Sequence, residues 1–266
     1  MLLVNFKIYK NTFGDGALKL AEICRRVGEK TKVKIIPVVS ALDLRRVKEK
    51  VGGEIWLQHL DLFFEGKFTG WVSPIAVILA GADGALINHS EHQIPFGRVR
   101  QILAYLKKKE WVEHWVEELK ELGDYRSDIE NFKLAFCVKT KGQVERRVKK
   151  MTPKPDFVAY EPPELIGGTV SVAEAEPEVI KRIVDLLPDY KIIVGAGVRN
   201  GDDVEKSLEL GAKGVLVSSD VVLAKDPKKE LTELAEAFAG KVKIQKSPVL
   251  DEVETRSGNF KNANQR

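Results

Sequence analysis

Short apolar runs alternate along the chain with longer amphipathic stretches. Residues 2–6 form the first apolar run, and residues 16–28 form an amphipathic stretch in which Ala17, Ala21 and Cys24 share one helical face. This order predicts a strand followed by a helix. The pair occurs eight times, and the predicted strands are 2–6, 33–39, 55–57, 85–87, 134–138, 157–160, 192–194 and 215–217. The helices predicted to follow them are 16–28, 42–51, 75–79, 99–106, 144–148, 177–187, 203–210 and 227–238.

Eight strand–helix pairs with no hairpin dipeptides between them favour a closed parallel (β/α)8 barrel over a doubly wound open sheet, which usually has fewer strands. The chain has 266 residues, and this length by itself fits one large domain or two small ones. We predict a single α/β barrel domain over residues 1–240. The polar tail 241–266 has little apolar surface to bury and is predicted to be disordered.

Residues 107–131 lie outside the repeat and form a charged amphipathic insertion. Its apolar residues recur at helical spacing, and these are Trp111, Trp115, Leu119 and Leu122. The spacing predicts an extra helix on the outside of the barrel. Packing explains these tryptophans better than a role in binding a cofactor.

Composition narrows the class of protein. The chain is 44% hydrophobic and 31% charged, which is typical of a globular protein with a real core. Its net charge of +4 is small and spread along the sequence, so we expect no nucleic-acid partner. No apolar stretch approaches the roughly 18 residues of a membrane span, and the first residues lack a basic signal-peptide region, so no membrane association is expected. Cys24 and Cys137 lie far apart in apolar runs, which indicates buried reduced thiols, no metal site and a cytoplasmic location.

Polar residues cluster just past the predicted strand ends. These clusters are residues 5–7, 58–61, 88–91, 161–164, 195–197 and 218–220. In a parallel barrel the loops that follow the strands build the active site. The spacing of the clusters therefore predicts that they meet at the mouth of the barrel.

Glu161 directly follows an apolar strand and is itself followed by Pro162 and Pro163, which stiffen the chain. A carboxylate in this position suits a base that removes a proton from a substrate. The alternative is a structural ion pair with a nearby lysine, which is commoner for a single glutamate.

His89 follows the fourth strand and lies beside the amides of a short turn, which disfavour a charged ring. A neutral imidazole there can donate a hydrogen bond to a substrate oxygen, although a buried structural histidine is the commoner case. His59, His92 and His114 are interpreted as structural. Lys7 supplies a cation at the same mouth, where the alternative is a solvated lysine.

Three turns rich in small residues follow the last three strands. Glycine leaves its backbone amide unshielded, so such turns suit a mobile lid or a phosphate cradle. A single Gly-Gly pair is more often an ordinary surface turn, but three turns after successive strands favour a phosphate site. The candidate phosphate-binding residues are Ile166, Gly167, Gly195, Ala196, Gly197, Ser218 and Ser219.

Together these motifs resemble triosephosphate isomerase, in particular its compact archaeal form. The resemblance runs in order from residue 2 to about residue 239. It is carried by Asn5-Phe6-Lys7, Gln58-His59 with Thr69-Gly70, Asn88-His89-Ser90-Glu91, Tyr160-Glu161-Pro162-Pro163-Glu164-Leu165-Ile166-Gly167, Gly195-Ala196-Gly197 and Gly214-Val215-Leu216-Val217.

The resemblance implies a cofactor-free enzyme that interconverts glyceraldehyde 3-phosphate and dihydroxyacetone phosphate. It implies that Glu161 moves the proton, that a neutral His89 polarises the substrate oxygen and that Lys7 is their electrostatic partner. It further implies support for this group from the polar residues Asn5, Ser90 and Glu91. It also leads us to expect a homo-oligomer, either a dimer or a tetramer.

The chain departs from the family pattern in three places. The lid usually reads Ile-Gly-Thr-Gly, whereas here it is Ile166-Gly167-Gly168-Thr169. Ser218-Ser219-Asp220 replaces the archaeal Ala-Ser-Gly and sets a carboxylate near the expected phosphate. Facing inward, Asp220 would repel the phosphate, but we expect it to face outward and cap the following helix. The insertion 107–131 falls in a region that contributes to subunit contacts in archaeal relatives, so their tetramer is not assumed.

Two other interpretations stay open from the sequence. Another enzyme on a phosphate-binding barrel, such as a lyase or synthase, would keep the three turns but need a different base. A barrel that has lost catalysis would serve only as a phosphate-binding module. The joint presence of Lys7, His89 and Glu161 favours the isomerase over both.

Overall fold

The computed structural model describes residues 1–63, 65–168 and 170–246. Eight parallel strands close into a barrel in sequence order, and the first strand pairs with the last, Leu2 opposite Val215. The strands are β1 Leu2–Asn5, β2 Ile35–Val39, β3 Trp56–Leu57, β4 Gly84–Ile87, β5 Lys133–Val138, β6 Phe157–Tyr160, β7 Lys191–Gly195 and β8 Gly214–Val217. The predicted (β/α)8 barrel is confirmed.

Helices connect the strands, as the amphipathic stretches predict. They are α1 Asp15–Thr31, α2 Ala41–Val51, α3 Pro74–Leu79, α4 Phe96–Lys107, α5 Lys109–Leu119, α6 Arg126–Asn131, α7 Lys141–Arg146, α8 Val172–Ala175, α9 Pro177–Leu186, α10 Gly201–Glu209, α11 Ser219–Val222 and α12 Pro227–Lys246. Short 3-10 turns occur at Val148–Lys150 and Pro163–Leu165. Within these described ranges, none of the helices is long and apolar enough to cross a membrane.

Two layers of apolar side chains hold the barrel together, because successive residues of a strand point to opposite faces. Leu2 and Val4 pack outward into the large cluster shared with the helices, whereas Leu3 belongs to a second cluster inside the barrel. The inner cluster is filled by large side chains, and the Trp56 and Phe157 rings lie 5.7 Å apart there. The barrel interior is therefore a packed core and not a pore.

The insertion differs from the single helix predicted for it. It forms two helices, α5 and α6, joined by a turn. Trp115 and Leu119 are buried as predicted, but Leu122 lies in the turn with 65% of its surface exposed. The helical pattern ends before Leu122, so including it in the apolar face was wrong.

The last helix runs past the predicted end of the barrel domain. Helix α12 continues to Lys246, so the predicted boundary at residue 240 falls inside a helix. The predicted disorder of the tail otherwise concerns residues 247–266, which lie outside the described residues. The division into a barrel domain and a tail stays a prediction.

Candidate active site

The pleat of the strands decides which side chains reach the barrel mouth. Leu3 and Ala159 belong to the inner cluster, so Asn5 and Glu161, two residues further along, point to the same face. The same alternation applies to the other strands. The residues at or just past the strand ends that follow an inner-face position in this way are Asn5, Ser40, Gln58, Asn88, Lys139, Glu161, Gly195 and Ser218.

The loops at this end contain strained backbone. Lys7, Asn88 and Ala196 have positive φ angles of 50°, 63° and 73°, and they follow β1, β4 and β7. They are three of the four non-glycine residues with positive φ in the described ranges, the fourth being Lys32 at the end of α1. Residues other than glycine rarely adopt this region of backbone conformation. Such strain concentrates at functional sites.

Glu161 is buried, with 5% of its surface exposed. Its Oε1 lies 3.6 Å from Nε2 of His89, and its Oε2 has no hydrogen-bond partner among the described residues. Gly195 makes room for it, since a Cβ added there would lie 2.6 Å from Cγ of Glu161. Burial and the Glu161 carboxylate together hold the pKa of the Cys137 thiol well above its ordinary value.

His89 is held between two acidic side chains. The backbone N–H of Glu91 donates to Nδ1 of His89 over 3.2 Å, and this contact favours the neutral ring. Burial also lowers the pKa of His89, but the carboxylates of Glu161 and Glu91 outweigh it, and the net pKa lies above the ordinary value. The ring is therefore neutral only when the pH exceeds this raised pKa, a condition that the sequence did not indicate.

Contacts between loops hold Lys7 at the barrel mouth. Its Nζ lies 2.7 Å from Oε1 of Glu91, so this ion pair joins the loops after β1 and β4. The Asn5 side chain accepts a hydrogen bond from the Lys7 backbone N–H over 3.0 Å, and Gln58 donates to the Lys7 carbonyl over 3.1 Å. These contacts fix the backbone that carries the ammonium group.

The glycine-rich turns face the same narrow cavity, which measures about 30 Å³ and has room for a few water molecules. Gly197 has φ +71°, and a Cβ there would lie 2.4 Å from the Val170 carbonyl oxygen. The backbone N–H of Val172 donates to the Ala196 carbonyl over 3.1 Å and joins the lid to the turn after β7. The predicted site residues that line the cavity are Asn5, Lys7, His89, Glu161, Ile166, Gly167, Ala196, Gly197, Ser218 and Ser219.

The other predicted site residues lie outside this lining. Gly195 lies behind Glu161, and Glu91 lines a wider adjoining cavity of about 420 Å³. Oγ of Ser90 is buried and has no hydrogen-bond partner among the described residues. Thr169 of the lid is not among the described residues.

The expected role of Asp220 is wrong. Helix α11 has Ser218 at its N-cap with no side-chain capping bond, and Asp220 instead lines the narrow cavity. Its Oδ1 lies 3.4 Å from Nε of Arg199. Helix α11 begins directly after β8, so Asp220 lies in its first turn beside the cavity, and its carboxylate pairs with Arg199 instead of capping the helix.

Sequence reasoning did not assign a role to Asn88 or Gln58. Asn88 donates to the Cys137 carbonyl over 3.0 Å and accepts the Ile94 backbone N–H over 3.2 Å, which fixes the loop that carries His89. An asparagine directly after a strand is a usable signal, because it tolerates the left-handed conformation. For Gln58, only its inner-face position could have indicated the contact with Lys7.

Two histidines interpreted as structural lie in the wider cavity. The His59 and His92 rings stack with centroids 3.9 Å apart, and Nε2 of His59 lies 3.2 Å from Oδ1 of Asp61. Burial lowers the pKa of His59 despite this carboxylate. Over the part of the chain that the structure describes, no group of three His, Cys, Asp or Glu side chains is arranged to hold a metal ion.

The chain is similar over most of its length to proteins of one family. A family model described as triosephosphate isomerase matches residues 1–238. The chain belongs to the triosephosphate isomerase family. It is 37% identical over 238 residues to triosephosphate isomerase of Methanothermus fervidus, covering 88% of this chain and 96% of the relative. It is 36% identical to that of Archaeoglobus fulgidus over 238 residues, with the same coverage, and 37% identical to that of Saccharolobus solfataricus over 232 residues, with 86% and 92% coverage.

The match to the triosephosphate isomerase family spans all eight strands and every loop that contributes to the site. It ends within α12, before the last residues of that helix. The resemblance identified from the sequence motifs is therefore confirmed.

Proposed function

We propose that this protein interconverts glyceraldehyde 3-phosphate and dihydroxyacetone phosphate. The observation that carries the proposal is the buried Glu161 carboxylate, whose Oε2 has no partner among the described residues, next to the His89 ring in one cavity. A buried carboxylate with a free oxygen suits proton abstraction. Membership of the triosephosphate isomerase family supports the same reaction.

In the proposed reaction Glu161 removes a proton from the carbon next to the substrate carbonyl. The electron pair of that C–H bond forms the carbon–carbon double bond of an enediolate, and negative charge develops on the carbonyl oxygen. The Nε2–H of neutral His89 and the ammonium group of Lys7 stabilise this charge. His89 gives its Nε2 proton to this oxygen and takes up the proton of the neighbouring hydroxyl group, and Glu161 returns its own proton to the former carbonyl carbon, which completes the isomerisation without a cofactor.

The phosphate group of the substrate is assigned to the three turns at the narrow cavity. Backbone N–H groups of small-residue turns bind anions well, and Gly167, Gly197 and Ser219 contribute such groups. Gly167 of the lid lines this cavity, so we propose that the lid moves when substrate enters.

The decisive experiment is a coupled assay with purified protein in both directions of the reaction. The proposal expects turnover without added metal or cofactor, and turnover should be inhibited competitively by inorganic phosphate. Phosphate binding without turnover would instead indicate a non-catalytic barrel. Turnover that needs a second substrate would indicate another class of barrel enzyme.

We also propose that the protein assembles with a second copy of itself. Large apolar side chains are exposed on the loops after β1 and β3, and these are Ile8, Phe13, Phe68 and Trp71. Exposed apolar groups concentrated at one end of a barrel are typical of an interface. Light scattering should give at least twice the chain mass, and Trp71→Asp should shift the equilibrium toward the monomer.

We propose a cytoplasmic location because both cysteines are free thiols. Cys24 and Cys137 are both free and buried. Burial raises the pKa of Cys24 to about 12, so its thiol stays protonated and unreactive. Free thiols without a disulfide are typical of reducing compartments. Localisation of a tagged full-length chain tests the assignment.

A further inference from the structure

The cavity proposed to hold the phosphate group contains a carboxylate. Asp220 lines it beside Gly197, Ser218 and Ser219, and about a third of the Asp220 side chain is exposed. A bare carboxylate there would repel a phosphate dianion. The family assignment explains the turns around this cavity but not this charge.

Both oxygens of the Asp220 carboxylate have partners in the loops around the cavity. Oδ1 lies 3.4 Å from Nε of Arg199, and Oδ2 accepts a hydrogen bond from Oγ of Ser219 over 3.5 Å. Ser219 was predicted to bind phosphate, yet its hydroxyl is directed to this carboxylate. Asp220 therefore affects both the charge and the hydrogen-bond donors of the cavity.

The backbone that carries Arg199 is fixed independently of Asp220. Arg199 lies two residues after Gly197, and its backbone N–H donates to Oδ2 of Asp203 over 2.9 Å. Asp203 forms a capping box with Asn200 at the start of α10. The guanidinium group of Arg199 thus extends from an anchored loop and contacts the Asp220 carboxylate. Arg199 itself is not among the residues that line the cavity.

We propose that Arg199 and Asp220 form a charge-compensating pair that sets the affinity of the cavity for a phosphate dianion. The juxtaposition of the Arg199 guanidinium with the carboxylate lining the cavity carries the proposal. Arg199 cancels the repulsion that Asp220 alone would exert, so it determines affinity through Asp220 and does not touch the substrate. The inference rests on the proposed function, because it deepens the assignment of this cavity to the phosphate group.

A double-mutant cycle tests the pair, with KM for glyceraldehyde 3-phosphate and the inhibition constant of inorganic phosphate as readouts. Arg199→Gln should raise both constants on the order of fivefold or more, because it leaves the carboxylate uncompensated. Asp220→Asn should lower both. The double variant should return both to within about twofold of the parent, and in each variant kcat should change less than KM.

Equal increases in Arg199→Gln and in the double variant would overturn the proposal, because Arg199 would then act on the substrate directly. Unchanged constants in Arg199→Gln would also overturn it, and the pair would be a surface contact only. Arg45→Gln is the matched control, since Arg45 pairs with Glu49 on the outer helix α2 far from the cavity. Melting temperatures of all variants separate unfolding from loss of affinity.

Calorimetric titration with inorganic phosphate keeps this test separate from that of the proposed function. If the parent protein binds phosphate but does not turn over triose phosphates, the proposed function fails. The double-mutant cycle is then completed with the phosphate dissociation constants of the variants. If turnover is found and the three variants show no compensation, the pair fails while the proposed function stands.

Discussion

The two ends of this barrel differ in how completely their polar groups are paired. At the amino end of the strands, Asp83 accepts the Ile55 backbone N–H over 2.8 Å and pairs with Lys48 over 2.7 Å. Asp156, directly before β6, repeats the arrangement two strands further around the barrel from Asp83, directly before β4. It accepts the Leu134 backbone N–H over 2.9 Å and pairs with Lys107 over 2.8 Å.

At the carboxyl end three buried polar atoms differ from this arrangement. Oε2 of Glu161, Oγ of Ser90 and Oγ of Ser218 are buried without a hydrogen-bond partner among the described residues. Buried polar atoms are nearly always paired in a structure that only needs to be stable. The amino end of the barrel therefore stabilises the fold. The carboxyl end keeps unpaired polar atoms, which cost stability but can bind a ligand.

The largest effect is expected from Glu161→Asp at the carboxyl end. The shorter side chain withdraws the carboxylate by about 1 Å, and a displacement of this size costs on the order of a hundredfold in kcat. The coupled assay measures kcat, and thermal melting should show an intact fold. Glu178→Asp, on the exposed face of α9, is the control and should retain parental kcat. Equal turnover in the two variants would remove Glu161 from the role of base.

A somewhat smaller loss is expected from Gly195→Ala. The added methyl group would lie 2.6 Å from Cγ of Glu161 and must push that side chain away, so kcat should fall roughly ten- to a hundredfold. Gly240→Ala is the control, because nothing lies within 4 Å of a Cβ at that position. Parental kcat in Gly195→Ala would show that the position of Glu161 does not depend on this contact.

Asp156→Ala tests the amino end. It removes the acceptor for the Leu134 N–H and the partner of Lys107, which should lower the free energy of unfolding by about 1–3 kcal/mol. The kcat of the folded protein should stay within about twofold of the parent. Asp189→Ala, which breaks an exposed pair with Lys154, should cost less stability. A fall in kcat without loss of stability in Asp156→Ala would contradict the division between the two ends.

The smallest effect is expected in the titration of His89. Its pKa in the folded protein is raised by Glu161 and Glu91 against burial, so Glu161→Gln should lower it, as measured by NMR. Protonation of His89 therefore stabilises the fold fully below the unfolded pKa of about 6.5, and this contribution is lost as the pH rises through the folded value. Glu178→Gln should leave the titration unchanged. An increase of the pKa in Glu161→Gln would mean that burial, not the carboxylate, controls the ring.

Much of the fold could be predicted because its signals are local. Strands such as Lys133–Val138 are apolar on both faces, and each amphipathic helix shows its own period, so eight units can be counted without knowledge of contacts. Helix boundaries were predicted less accurately, as at residues 144–148, where α7 begins three residues earlier than predicted and ends at Arg146. Short helices carry too few turns for their period to fix both ends.

Some features of the candidate site could likewise be predicted from local signals, and others could not. Glu161, His89 and Lys7 could be identified because each follows a strand end, and the (β/α)8 topology alone brings those ends together. The orientation of Asp220 could not be predicted. It depends on Arg199, which belongs to a different loop and is anchored by α10.

The sequence by itself therefore determined the order of the elements, the closed barrel and the set of residues gathered at its mouth, because these follow from periodicity and chain direction. Only the tertiary structure decided which of those residues are paired. The Lys7–Glu91 ion pair, the raised pKa of His89 and the space that Gly195 leaves for Glu161 depend on distances of a few ångströms between loops far apart in the chain. Electrostatic and steric energies change steeply over such distances, and a pattern along one chain does not contain them.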